Sequence, residues 1–144
     1  MLPPVGGQSL LGACSAGGGL GSFASGAPVV SSSRHVFAGI GVSDYPALRE
    51  WYERFMGRPA DLVPNEIEVC WQLTDSAWVY VKRDAERAGN AFITILVDDL
   101  DARVEELSHR GIASGPVETM SNGTRTALVT DPEGNTIQLG ETPG

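Results

Sequence analysis

GVSDYPALREWYERFMG (Gly41 to Gly57) and LVDDLDARVEELSHRG (Leu96 to Gly111) follow one plan. Each has an apolar strand ending in Val, an Asp two residues on, an amphipathic helix and a closing Gly. In the first, Asp44 is a good N-cap, and Pro46 falls in the first turn, where its missing N–H costs nothing. Leu48, Trp51, Tyr52 and Phe55 recur at i, i+3, i+4 and i+7, one apolar stripe of a helix, and Gly57 supplies a left-handed stop. In the second, Asp99 caps a helix with the stripe Leu100, Val104 and Leu107, ended by Gly111. Val42 and Val97 are equivalent and lie 55 residues apart. The folded part is therefore expected to be a tandem repeat of one unit, and two such units usually pair around a cavity.

Working outward, VFAGIGV (Val36 to Val42) alternates as a strand, with Ala38, Ile40 and Val42 on one face and Phe37, Gly39 and Gly41 on the other. Strands are expected around Ala60 to Val63, Glu66 to Leu73 and Ala77 to Lys82. The second unit runs from a strand at Ala91 to Val97 to strands near Ala113 to Met120, Thr124 to Thr130 and Thr136 to Gly140. Asn122-Gly123 marks a hairpin, and DPEGN (Asp131 to Asn135) is a second turn. Each unit is βαβββ. The fold class is α+β: two tandem units, about 35–83 and 91–141, form a curved mixed sheet around a cleft, with helices on its outer face.

The 144 residues make one domain, 34–144, behind a stretch without a charged side chain, 1–33. That Gly/Ser-rich stretch is expected to be a disordered tail. Its LGAC (Leu11 to Cys14) is like a lipoprotein cleavage box, but the basic n-region is missing and prolines and glycines break the apolar run. No window matches a membrane span. Net charge is -8, which repels phosphates and anionic lipid, so neither nucleic acid nor membrane is expected as a partner. Cys14 and Cys70 have no disulfide or metal spacing. Cys70 is expected to be a buried small hydrophobe, and a reducing cytoplasm fits best. Trp51 and Tyr52 belong to the core or a dimer interface.

The βαβββ doublet, with V-x-D opening each helix and D-P-x-G-N before the last strand, resembles the vicinal oxygen chelate superfamily over about Arg34 to Glu141. That group contains glyoxalase I, extradiol dioxygenases, and fosfomycin- and bleomycin-resistance proteins. The resemblance implies a divalent-ion site on the first and last strands of both units. Counted from the V-x-D motif, the implied ligand positions fall on Phe37 and Phe92; Gln138 follows D-P-x-G-N, and Tyr80 takes the fourth position. Such an ion needs carboxylates or imidazoles, and two phenyl rings offer neither. His35, two residues before Phe37, lies about 6.6 Å further along the strand. His109 is a helix-terminal residue. No metal and no other cofactor is expected.

On the same resemblance, Phe37, Gly39 and Gly41 face Phe92, Thr94 and Leu96 across the cleft. Trp78 and Tyr80 share a face by strand alternation, as do Thr136 and Gln138. The candidate ligand-binding residues are Phe37, Gly39, Trp78, Tyr80, Phe92, Thr94 and Gln138. They make an aromatic-lined cavity with neutral polar groups, suited to a planar or cationic molecule, and Gly39 and Gly41 leave room for it. The alternative reading is that Phe37, Phe92 and Trp78 fill the space as a packed core, the commoner role of an aromatic residue in a strand. Glu66 and Glu68 are either exposed edge charges or, facing the cleft, general bases. No nucleophile arrangement or phosphate loop is present.

Three functions follow. The first is a metal-independent protein of the bleomycin-resistance type, a homodimer that sequesters a small organic ligand such as an antibiotic. The second is a lyase, isomerase or cyclase with a carboxylate base in the same cleft. The third is a dimerising regulatory module without a ligand.

Overall fold

The computed structural model describes residues 33–144. The expected tail therefore lies outside the described residues, except for Ser33. The chain runs β1 (Val36–Val42), α1 (Tyr45–Met56), β2 (Leu62–Asn65), β3 (Glu68–Thr74), β4 (Ala77–Arg83), β5 (Phe92–Leu96), α2 (Leu100–His109), β6 (Glu118–Thr119), β7 (Arg125–Thr130) and β8 (Thr136–Glu141). The βαβββ order holds in both units. Each unit makes a four-stranded sheet, β1-β4-β3-β2 and β5-β8-β7-β6. In each sheet the first strand pairs in parallel with the last, and the remaining pairs are antiparallel.

Both helices are capped as the sequence requires. Asp44 accepts from the Ala47 N–H and Asp99 from the Ala102 N–H, at 3.3 and 3.0 Å. Gly57 and Gly111 both have positive φ, 78° and 82°, where a side chain would be strained. The α1 stripe is buried throughout and includes Tyr45; in α2, Leu100 and Leu107 are buried and Val104 is half-buried. Helix α1 lies over β4, and α2 over β7 and β8. Against them pack Ile40, Val42, Val69, Trp71, Val79 and Val81 of the first unit. Ala127, Val129, Ile137 and Leu139 of the second complete one continuous core. Trp51 and Tyr52 both belong to it, as does Trp71, whose indole N–H donates to the Arg58 carbonyl.

The DPEGN turn clasps the two units together. Tyr52 Oη donates to Asp131 Oδ2 at 2.7 Å. The Glu133 carboxylate accepts from the Ser43 and Asp44 N–H groups, both at 2.7 Å. Asn135 accepts from the Ala91 N–H and donates to the Gly41 carbonyl, joining the start of β5 to the end of β1. At the other end, Arg54 donates to the Arg110 carbonyl, and Arg110 returns bonds to the Arg54 and Phe55 carbonyls. Reciprocal capping of helix ends is what a repeat with internal symmetry produces.

Three strands differ from the sequence expectation. The stretch Ala113 to Met120 yields only two residues of β6, because Pro116 has no N–H and Gly115 N–H is taken by the Leu128 carbonyl. Strand β2 is displaced toward Asn65 and keeps Pro64, which an edge strand tolerates. Glu66 and Ile67 form a turn, so β3 starts at Glu68.

Candidate functional site

Because one face of each sheet is committed to the helices, any site lies on the far face. In the first unit, pairing registers put Phe37 beside Trp78, Gly39 beside Tyr80 and Gly41 beside Lys82. The adjoining strand places Gln72, Cys70 and Glu68 opposite Trp78, Tyr80 and Lys82. Phe37 stacks on Trp78 with ring centroids 5.9 Å apart and planes 19° apart, and His35 lies 6.5 Å beyond Phe37. Trp78 and Cys70 are buried, with Phe37, Leu62 and Tyr80 half-buried around them. Cys70 is thus a buried apolar residue, and its place is on this face.

The second unit offers a different surface. Phe92 pairs with Thr136 and Thr94 with Gln138, so Gln138 is the positional equivalent of Tyr80. Thr94 Oγ1 donates to Gln138 Oε1 at 3.0 Å. Phe92 and Leu96 are 61% and 62% exposed, and Leu128, opposite Gln138, is 45% exposed. The predicted site residues therefore form two groups: Phe37, Gly39, Trp78 and Tyr80 on one sheet, and Phe92, Thr94 and Gln138 on the other. The two phenylalanines are equivalent in sequence and opposite in surroundings.

A cavity of about 290 Å³ opens where β1 and β4 end, lined by Gly39, Gly41, Tyr80, Lys82, Asp84 and Arg87, with Asn90 and Ala91 at its margin. The glycines do not leave empty space there. A Cβ on Gly39 would sit 2.5 Å from Tyr80 Oη, and one on Gly41 would sit 3.2 Å from Arg87 Cβ. The Tyr80 ring and the Arg87 stem thus occupy the room that the sequence reading gave to a ligand. Asp84 pairs with Arg87 at 2.9 Å, and that bond holds its carboxyl below the usual range. Burial pushes the Tyr80 hydroxyl up, with Glu68 adding to the effect. Lys82 brings positive charge to this wall of an otherwise acidic chain.

Glu68 corrects the edge-charge reading. Glu66 is exposed in the turn, but Glu68 is fully buried on the cleft side of β3. Its Oε1 accepts from Asn65 Nδ2 at 3.0 Å, and its Oε2 has no hydrogen-bond partner. Burial pushes this carboxyl up, against the smaller pull of the Asn65 bond and of Lys82. Sequence reasoning also passed over Lys82, although it continues the Trp78, Tyr80 alternation by one step. The Glu68–Lys82 pairing needs the ladder register, which a single sequence does not carry.

The donor atoms do not suit the divalent ion that the fold implies. Phe37 and Phe92 carry no ligand atom, and the Gln138 amide oxygen is bonded to Thr94. Among the described residues no group of three or more His, Cys, Asp or Glu side chains could hold a metal. His109 is exposed at the end of α2. No helix among the described residues is long and apolar enough to cross a membrane.

The sequence profile of the Glyoxalase/Bleomycin resistance protein/Dioxygenase superfamily matches residues 33–139. No curated protein matches the chain. Among solved structures, a glyoxalase/bleomycin resistance protein from Catenulispora acidiphila is 38% identical; the alignment covers 76% of this chain and 98% of that one, with a TM-score of 0.72. TnmS3, an antibiotic-binding protein from a Streptomyces species, is 22% identical over 79% of this chain and 99% of its own, with a TM-score of 0.64. A bleomycin-binding protein solved with bleomycin is 17% identical over 76% and 98%, with a TM-score of 0.63. These last two share the fold. The profile match and the first of these likenesses settle the family: the chain belongs to the glyoxalase/bleomycin resistance protein/dioxygenase superfamily.

Proposed function

We propose that this protein binds a planar organic molecule, such as an antibiotic, without a metal and without breaking a bond. The observation that carries the reading is the far face of the first sheet. There Phe37 stacks on Trp78 beside a cavity walled by Tyr80, while the positions that would hold a divalent ion carry phenyl rings. An aromatic wall with a few polar groups is the usual make-up of a small-molecule site. Relatives of this fold include one protein that binds an antibiotic and one that binds bleomycin, which supports the ligand class. In this reading Phe37, Trp78, Tyr80 and Gly39 form one wall. Phe92, Thr94 and Gln138 form the other, supplied by a second copy in a homodimer. The exposed row Phe92, Leu96 and Leu128 supports that pairing, since apolar side chains clustered on one sheet face mark a surface that is covered in use. Cytoplasmic placement rests on the cysteine usage of the sequence.

The test is a thermal-shift screen of antibiotics and planar metabolites, run with and without chelator. A binder at 100 times its dissociation constant stabilises the fold by about 2.7 kcal/mol. A binder whose shift is unchanged by chelator and lost on Trp78→Ala is the expected result. Shifts that need an added divalent ion would overturn the reading.

One observation favours the second function, a metal-independent lyase, isomerase or cyclase. Glu68 is a buried carboxyl raised by its surroundings on the cleft side, the profile of a general base. Turnover abolished by Glu68→Gln, with binding intact, would identify it.

A further inference from the structure

The cavity where β1 and β4 end has three charged side chains in its lining, Lys82, Asp84 and Arg87. Asp84 and Arg87 cancel each other through their 2.9 Å ion pair. Lys82 is left over, and it is the only lysine of the chain. The residue is half-buried, its ammonium is open to solvent, and among the described residues it makes no hydrogen bond or ion pair. Glu68 lies opposite it across the β3–β4 ladder but does not close on it. That carboxyl is fully buried outside the cavity lining and bonded to Asn65, and burial drives it toward its neutral form. The wall therefore carries one uncancelled positive charge, although the chain as a whole carries -8. A concave site focuses such a charge and raises the local concentration of anions.

We propose that this cavity selects flat aromatic acids, with Lys82 holding the ligand's carboxylate and Tyr80 lying against its ring. This rests on the reading of the cleft as a small-molecule site and names the charged group of the ligand. Tyr80 and Lys82 are two residues apart on β4 and share a face, so their side chains leave the strand about 6.6 Å apart. The outer ring and the carboxylate of a bicyclic acid are separated by close to that distance. Because Gly39 has no Cβ, the Tyr80 ring lies over β1 and gives the cavity an aromatic wall. The volume of about 290 Å³ takes a bicyclic ring. An ammonium is a compact charge with three donors, and it holds a carboxylate without the paired geometry that a guanidinium requires. A basic ligand is repelled by Lys82, and a neutral one leaves the ammonium to water.

The experiment titrates the full chain by calorimetry with 2-naphthoate and with 2-naphthamide, which keeps the ring and the shape and lacks the charge. The wild type is expected to bind the acid about tenfold or more tighter than the amide, the value of one hydrogen bond to a charged group. Lys82→Met should bring the two affinities within about twofold of each other by weakening the acid alone. Folding of the variant is checked without ligand, by its circular dichroism and by a melting temperature within about 3 °C of wild type. Its unchanged affinity for the amide is the second control. If Lys82→Met fails the folding check, Lys82→Gln takes its place with the same expected result. Equal affinities of the wild type for acid and amide would overturn the proposal and leave the cleft reading intact. An undiminished preference for the acid in the folded Lys82 variant would also overturn it. So would binding of neither probe, and in that case the cleft reading still stands or falls by its own screen.

Discussion

Replacing Phe92 by Ala separates a ligand wall from a packing residue. Phe92 opens β5 with 61% of its surface exposed, so about two-fifths of it is out of water. Truncating a fully buried Phe costs about 3–5 kcal/mol. Scaled to two-fifths, the loss at Phe92 should be about 1–2 kcal/mol. Urea unfolding at two protein concentrations measures it. At the lower concentration the proposed homodimer should be dissociated, and the single chain should lose only that amount. At the higher concentration the loss should grow, because a partner that covers Phe92 stabilises the fold by mass action. A loss above 3 kcal/mol at the lower concentration would refute the reasoning, since a half-exposed ring leaves no full cavity behind.

Two other substitutions test neighbouring parts of the account. Tyr52→Phe removes a 2.7 Å bond to buried Asp131, which keeps its bonds from the Glu133 and Asn135 backbone and the Asn135 amide, so unfolding should become easier by about 1.5–3 kcal/mol. A change under 0.5 kcal/mol would mean that the inter-unit clasp contributes little. Glu68→Gln should change how stability depends on pH. Burial raises the Glu68 carboxyl in the folded chain, so the folded state holds its proton to higher pH than the unfolded one, and wild-type stability falls as pH rises from the ordinary carboxylate range through the raised value. The neutral amide has no such loss. The variant's stability relative to wild type should therefore climb between pH 4 and pH 7; a flat or falling difference would contradict the burial argument, even with Lys82 opposing it.

Much of the fold was legible because its signals are local. The spacing of Leu48, Trp51, Tyr52 and Phe55, the caps Asp44 and Asp99, and the stops Gly57 and Gly111 each depend on a few neighbouring residues. The repeat of that pattern then implied a second copy of the same unit. The alternation of VFAGIGV correctly separated Ile40 and Val42 from Phe37 and Gly39. What the sequence left unread depends on register and on distance. Glu68 looks like a charge on an edge strand until its pairing to Lys82 and its burial are known. Gly39 looks like vacant space until the Tyr80 ring is seen lying over it. Phe37 and Phe92 are indistinguishable by motif, yet only Phe37 has a Trp beside it, because position 78 carries an indole where position 136 carries a threonine. Strand β6 shrank to two residues because the Gly115 N–H bonds the Leu128 carbonyl of β7, a long-range effect, and Pro116 has no N–H to give a ladder.

The measurement that tests the central claim most directly is one calorimetric titration with a hit from the thermal-shift screen, on protein whose metal content has been determined and from which metal has been stripped by chelator. The account predicts less than a tenth of an equivalent of Zn, Mn, Fe or Ni as purified, saturable binding of about one ligand per cleft, and the same affinity before and after stripping. Near-stoichiometric metal, with binding lost on stripping and restored by one divalent ion, would contradict it.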